Sequence, residues 1–589
     1  DIFNVSVFKF LFFSLYFLSV VAAENLSYQR LAWQMEGGDV RSIAGLCRQY
    51  VQKKLEAEKT FSVESLLKDR ELAQACYMAH FFALVGKDRT YILHELKDKE
   101  YVLWLLNHPE VFEKLSFAKA SGKDTLAVLR NIWLKEGKEL SGVGLNMALG
   151  AALVSSSREP EACEARYDFY KKSFMEKKLF PQFLTLEPWE FGILFRGRES
   201  IEELAWAQDY LADKKKIQAG NAGYACCGLI PYRMKNKQGI SVHVGGAFYD
   251  HKPVSLQIYV EYGGVCGAVS KGAAGFLRAK GVPAYPIGQP GHCAFIWKHP
   301  KGQWLIGNNI GGWNWANGGN KLPWKGPVQI ISALCAFWQG PQARESSLMY
   351  DLSFYSRNLQ HVELLLQEAC RANPYNYPAW VRYLGIKAGG AGDKKKLEYL
   401  IQFSKAMPRE HNLIDYVAGH VLKINPEKVN PYELYACGVS PDSTPEAEEL
   451  FIRQFWKKLI ADCPEVKLHA VYKEGTTGNF LNLWLEKSKN VKWNSKMKSK
   501  TSKAFQQALL ALTGKEKIFI KMMKSYRRFL IMWNDEKYMM QAHEFVQDHL
   551  KGITSDQVKK EMAGMGRKMG ILLKNDKILN MYGQTRESE

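Results

Sequence analysis

A cysteine, a histidine and a carboxamide in this chain are residue types that nucleophilic amide chemistry uses. Cys266 lies in Tyr262-Gly-Gly-Val-Cys-Gly-Ala-Val-Ser270. His292 lies in Pro290-Gly-His-Cys-Ala-Phe-Ile-Trp297. Asn308 and Asn309 follow Trp304-Leu-Ile-Gly307. A thiol attacks a carbonyl as its thiolate, so it needs a base to take the proton and a positive local field to hold the anion. An imidazole supplies the base. A third group that fixes the ring's tautomer and orientation completes a triad.

The elements around these residues must bring them together. Val269, Ala273, Phe276 and Leu277 recur at i, i+4, i+7 and i+8, which predicts a helix burying one face. Lys280 in the last turn, Gly281 at C′ and Pro283 end it. Gly263-Gly264 lets the chain turn sharply before it. Cys266 therefore falls at or near the helix N-terminus, where unpaired N–H groups and the positive dipole end favour a thiolate. The same N–H groups, that of Gly267 included, can hold an oxyanion. Gln257, Tyr259 and Tyr262 are the upstream candidates for a side-chain donor. Lys298-His-Pro-Lys-Gly302 reads as a hairpin turn. If residues near 298 pair with 302 or 303, His292 faces Asn308 or Asn309, and a one-residue slip changes which. Cys293 is expected on the opposite strand face, as packing or as a disulfide partner. The Gly/Asn-rich run from Gly307 to Asn320 carries no Walker or dinucleotide fingerprint and reads as a loop whose Trp313 and Trp315 line a substrate cleft. Cys226-Cys227 is open to separate bridges, a vicinal disulfide or simple burial. A zinc set with His243 and His251 lacks Cys-x-x-Cys or His-Glu-x-x-His spacing, so no metal and no organic cofactor is expected.

Gly-Gly-Val-Cys-Gly opening a small-residue helix, Gly-His on a strand, and Trp-x-x-x-Asn together resemble the transglutaminase-like superfamily of papain-type cysteine enzymes. That family places its histidine twelve residues before the Trp, as His292 stands before Trp304. Its third member comes four residues after the Trp, which is Asn308. The family usually has Asp there. Asn, used in this role by the wider papain group, weakens charge stabilisation of an imidazolium but keeps ring orientation. The likeness covers Tyr262 to Trp313. A second, weaker one covers Pro181 to Tyr210, with Glu202-Glu-Leu-Ala-Trp-Ala207, in large exported bacterial proteins of the group. The resemblance implies a predominantly helical α+β fold with a papain/transglutaminase-like core, a helix packed on an antiparallel sheet. It implies acyl transfer on amide bonds of protein or peptide substrates, with hydrolysis, as a peptidase or amidase, favoured over transamidation. The alternative is a catalytically inactive scaffold or binding protein, which the departure at Asn308 keeps open.

Four regions follow from composition. Residues 1–23 read as a secretory signal peptide: Lys9 precedes an apolar run from Phe10 to Val21, and Val21-Ala-Ala23 is a small-residue exit. This points to an exported protein, periplasmic or extracellular, with no transmembrane segment after signal removal. Residues 24–215 read as helices, from Ile43, Leu46, Cys47, Tyr50 and Val51 and from Val102, Leu105 and Leu106. Helix starts are expected at Ser62, Asn107 and Ser200, and Trp104, Trp133, Trp189 and Trp206 as packing anchors. Residues 216–340 hold the core, with Val242 to Tyr249 and Val254 to Tyr262 as possible strands. Residues 341–589 are helical. There Asn373-Pro374, Trp380, Leu384 and Gly385 resemble a tetratricopeptide-type joint, with a weaker echo from Asn425 to Leu434. The chain's 589 residues, 47% hydrophobic and 24% charged, exclude wholly disordered, collagen-like and polytopic membrane classes. Its 11 cysteines are too few for a disulfide scaffold and, being odd, leave at least one thiol free or paired between chains. The net charge of +20 is uneven. Residues 486–528 carry 13 Lys/Arg against 2 Glu, a surplus of +11. That stretch suits an anionic surface or polymer rather than a specific nucleic acid.

Overall fold

The computed structural model describes residues 31–582, except 86–93, 311–314, 317–327, 425–429, 437–447, 460–490 and several shorter stretches. The signal-peptide run therefore lies outside the described residues, as do Trp313 and most of the echo from Asn425. The described chain is predominantly helical with one small antiparallel sheet. It forms two compact units. One takes residues up to Asn309 and continues through Tyr383; the other begins at Leu384 and includes Ile310.

The first unit begins with helices whose apolar spacing reads directly from sequence. In Val40–Ala57, Ile43, Cys47, Tyr50 and Val51 are buried, and this face packs on helix Arg70–Val85. Ser62 caps Val63–Lys68 by accepting the Ser65 N–H. The start expected at Asn107 falls one residue later. His108 is the cap and Pro109 opens the helix, where a missing N–H costs nothing. Trp104, Trp133 and Trp189 are buried anchors. The half-buried Trp206 stacks with Tyr210, 5.0 Å between centroids.

Around the candidate site the elements are helix Pro188–Phe195 (α1), helix Ile201–Ala212 (α2), helix Leu256–Tyr262 (α3) and helix Cys266–Ala279 (α4). Strands Ala284–Gln289 (β1), His292–Lys298 (β2), Trp304–Gly307 (β3) and the two-residue Trp315–Ala316 (β4) follow. The sheet order is β3-β2-β1-β4, and α4 packs across β1 and β2. The two strands expected upstream are not strands. Val242–Tyr249 forms tight 3₁₀ turns broken at Gly245, whose φ of +69° interrupts any extended run. Residues 256–262 are α3, because Ser255 caps it by accepting the Ile258 N–H and Ile258 and Tyr262 bury one face at i, i+4.

Buried charge ties this core to the helices before it. Arg278 on α4 forks onto Glu199, Nε to Oε2 at 2.9 Å and Nη2 to Oε1 at 2.5 Å, with both side chains almost wholly buried. Lys298 on β2 meets both carboxylate oxygens of Glu190 on α1 at 2.5 Å, again buried. Ser200 caps α2 as its Ser-x-x-Glu pattern predicts. The Glu203 carboxylate lies against the Ser200 backbone and also accepts the Leu256 N–H, which anchors α3.

Farther along, helices Leu359–Ala372 and Tyr377–Ala388 are joined at Asn373-Pro374, and the Trp380 indole donates to the Pro374 carbonyl at 3.1 Å. In the second unit, helices Ser495–Ala511 and Glu516–Trp533 bury Phe505, Tyr526 and Phe529 around Trp456. Their cations lie outside. Lys496, Lys500 and Lys503 are exposed at i, i+4 and i+7 on a helix that contains no Asp or Glu. On the second helix Lys521 pairs with Glu448 and Lys524 with Glu561, so part of the local surplus is neutralised. No helix among the described residues is long and apolar enough to cross a membrane.

Candidate active site

Cys266 is the first residue of α4, with Val265 as the cap. Gly263 at φ +74° and Gly264 at φ +152° make the turn before it. At Gly263 a Cβ would stand 2.2 Å from the Pro231 carbonyl oxygen, so only glycine fits there. The Ala268 and Val269 N–H groups both donate to Val265 O, at 2.9 and 3.1 Å. The N–H groups of Cys266 and Gly267 have no backbone acceptor among the described residues, and the Gly267 Cα faces open space. The helix thus presents two unspent donors beside a half-buried thiol, the arrangement that holds an anion.

His292 opens β2, opposite Gln289 at the end of β1. Lys298 pairs with Trp304 and Phe295 with Gly307, one residue beyond the later of the two expected registers. Continued as a ladder, that register would leave both asparagines short of His292, opposite Ala294 and Cys293. It does not continue, because Asn308 turns left-handed at φ +51° just after β3 ends, a conformation asparagine tolerates. The turn aims the Asn308 carbonyl oxygen, not its side chain, at His292 Nε2, 2.6 Å away. A carbonyl only accepts, so the contact puts the proton on Nε2 and leaves Nδ1 as the basic nitrogen of the neutral ring. Among the described residues no hydrogen bond joins the Cys266 sulfur to His292.

The Asn308 carboxamide has a different task. Its Nδ2 reaches the Ser270 hydroxyl at 3.0 Å, the Cys293 carbonyl at 3.1 Å and the Cys266 carbonyl at 3.4 Å. Ser270 also donates to Cys293 O at 2.7 Å. Asn308 therefore latches the end of β3 to the first turn of α4 and to β2, while its backbone orients the ring. Asn309 faces away and accepts from Gln289 Nε2 at 2.6 Å.

The expected side-chain oxyanion donors are placed differently. Tyr262 gives its hydroxyl to Asp250 at 2.5 Å. Gln257 and Tyr259 sit half-buried on α3, and burial pushes the Tyr259 hydroxyl pKa up. Three neighbours escaped sequence reasoning. Ser270 lies one turn beyond Cys266, a spacing that could have flagged it. The Tyr249 hydroxyl comes 3.1 Å from where a Gly264 Cβ would stand, but Tyr249 lay in a run read as strand. The Cys227 thiol lies against the Asn308 backbone. Burial drives its pKa up to about 11 despite that hydrogen bond. Among the described residues Cys226, Cys227 and Cys293 form no disulfide. His243 and His251 are exposed while Cys226 is buried, and no metal-binding group of His, Cys, Asp or Glu occurs among the described residues.

Comparison with protein-family models, curated proteins and solved structures finds no match to this chain.

Proposed function

We propose that this chain is an exported cysteine acyl-transfer enzyme with a papain/transglutaminase-like core, acting on amide bonds of protein or peptide substrates. The observation that carries the reading is Cys266 at the start of α4, beside two unspent N–H groups and near a histidine whose Nε2 is fixed by Asn308. In this mechanism His292 Nδ1 takes the thiol proton and the thiolate attacks the amide carbonyl. The Cys266 and Gly267 N–H groups hold the oxyanion, and the imidazolium protonates the leaving amine. Water then resolves the thioester in a hydrolase; an amine resolves it in a transamidase, and hydrolysis is favoured by the family resemblance. The exposed lysines of helix Ser495–Ala511 dock the enzyme on an anionic surface or polymer.

One observation favours a second reading, an inactive scaffold. The Asn308 carboxamide is committed to the latch, and the thiol and imidazole are not hydrogen-bonded. Alkylation of the native protein with iodoacetamide at neutral pH, read by peptide mass mapping, decides between them. The enzyme reading expects Cys266 to react at least about tenfold faster than a model thiol and to lose that advantage in His292→Ala, since the base that takes the thiol proton is then gone. Cys266 reacting at the model rate in both proteins leaves the scaffold.

A further inference from the structure

A cleft of about 670 Å³ opens within the first unit, formed by helices Val63–Lys68, Arg70–Val85, Pro109–Phe117 and Pro341–Leu352 with Glu187 at its rim. None of the residues proposed for acyl transfer lines it. Its volume lies in the range of small-molecule sites. Leu67, Ala73, Pro109 and Leu348 give it an apolar wall. Four glutamates and two arginines line the rest, so the walls carry a net negative charge. Arg344 is spent: it bridges Glu113 at 3.2 Å and Glu187 at 2.9 Å. Glu110 and Glu345 have no ion-pair partner among the described residues. Tyr77 also lines the cleft. Its hydroxyl makes no hydrogen bond among the described residues, and burial holds its pKa far above the ordinary phenol value. A neutral phenol donor and acceptor in a mostly buried setting normally finds a partner.

We infer that this cleft binds a small aliphatic amine carrying more than one ammonium group, a linear diamine or polyamine. Glu110 and Glu345 take the ammonium ends, the apolar wall takes the methylene chain, and Tyr77 contributes its hydroxyl and ring face. The exposed guanidinium of Arg70, also in the lining, repels every cation alike, so a ligand with hydrocarbon to bury on the apolar wall is favoured over a compact inorganic cation. The site thus selects an extended organic cation. The site does not depend on the acyl-transfer reading.

Isothermal titration of the full chain with spermidine, and separately with glutarate, tests this. The expected result is saturable spermidine binding and none of glutarate. Glu110→Gln/Glu345→Gln should bind spermidine at least about tenfold more weakly, and Tyr77→Phe severalfold more weakly, each with an unchanged circular dichroism spectrum and melting midpoint. Absence of saturable spermidine binding, equal binding by the double variant, or glutarate binding as tightly as spermidine overturns the proposal. If the double variant misfolds, the single variants Glu110→Gln and Glu345→Gln replace it; an unchanged affinity in both, with no effect of Tyr77→Phe, also overturns it.

Discussion

Asn308 explains its own identity at the scale of one residue. The resembling family carries an acid at this position, yet here the side chain donates to two carbonyls and a hydroxyl. A carboxylate has no hydrogen to give and would face the Cys266 and Cys293 carbonyl oxygens. Asn308→Asp is therefore expected to destabilise by about 1–3 kcal/mol, the cost of unpaired buried polar groups. It should do so more than Asn308→Gly, which keeps the left-handed turn and introduces no charge. Urea unfolding of the two variants is the check, and an Asp variant as stable as wild type would show that the latch carries no weight. The ring contact runs through the backbone, so Asn308→Gly is also expected to keep most of the Cys266 alkylation advantage. Sequence spacing found the three residues but not this division of labour. Nothing in a residue's identity states whether its carbonyl or its side chain will face a neighbour.

The same lesson holds for the elements. Helix α4 was legible, with Cys266 expected at or near its start, because its apolar period, its glycine turn and its Gly281-x-Pro283 ending agree. The hairpin was legible in kind but not in register, since the turn between Lys298 and Trp304 is longer than expected and sets the pairing. Residues 256–262 misled, because Ile, Tyr and Val suit strands while Ser255 and the Ile258–Tyr262 spacing made a helix. The ion pairs were invisible, since Glu199 and Arg278 lie 79 positions apart. Burial pushes the Glu199 carboxyl upward, but the Arg278 guanidinium and its hydrogen bonds outweigh it and hold the pKa below the ordinary value of 4.5. A depressed carboxylate stabilises fully above its unfolded pKa and loses that contribution as pH falls through its folded one. Stability should therefore decline below about pH 4.5, and Glu199→Gln should remove that part of the decline. The same variant should cost about 3–5 kcal/mol at neutral pH by leaving Arg278 buried without a counter-charge. Urea midpoints measured across an acid series would show an unchanged slope if the pair were inert.

Across the whole molecule, charge is divided by use. The lysines at 496 and 503 sit exposed on one helix face, whereas Lys521 and Lys524 are already matched by acids. Under the proposed docking role, Lys496→Glu/Lys503→Glu should elute from a heparin column at distinctly lower salt than wild type. A double change at paired or distant cations should have less effect, because retention follows unneutralised charge. The inward charges have another consequence. Composition set residues 216–340 apart, yet Arg278 and Lys298 within that segment find their carboxylates at Glu199 and Glu190 outside it. Excised on its own, the segment would carry two orphaned cations in its interior and expose the faces of α4 and β2 that those acids cover. It is expected to be recovered as aggregate, while a span beginning at residue 31 and reaching residue 383 stays soluble and melts cooperatively. The candidate site is thus not a portable cassette: grafting it onto another scaffold would require carrying along two acids that stand apart from Cys266 and His292.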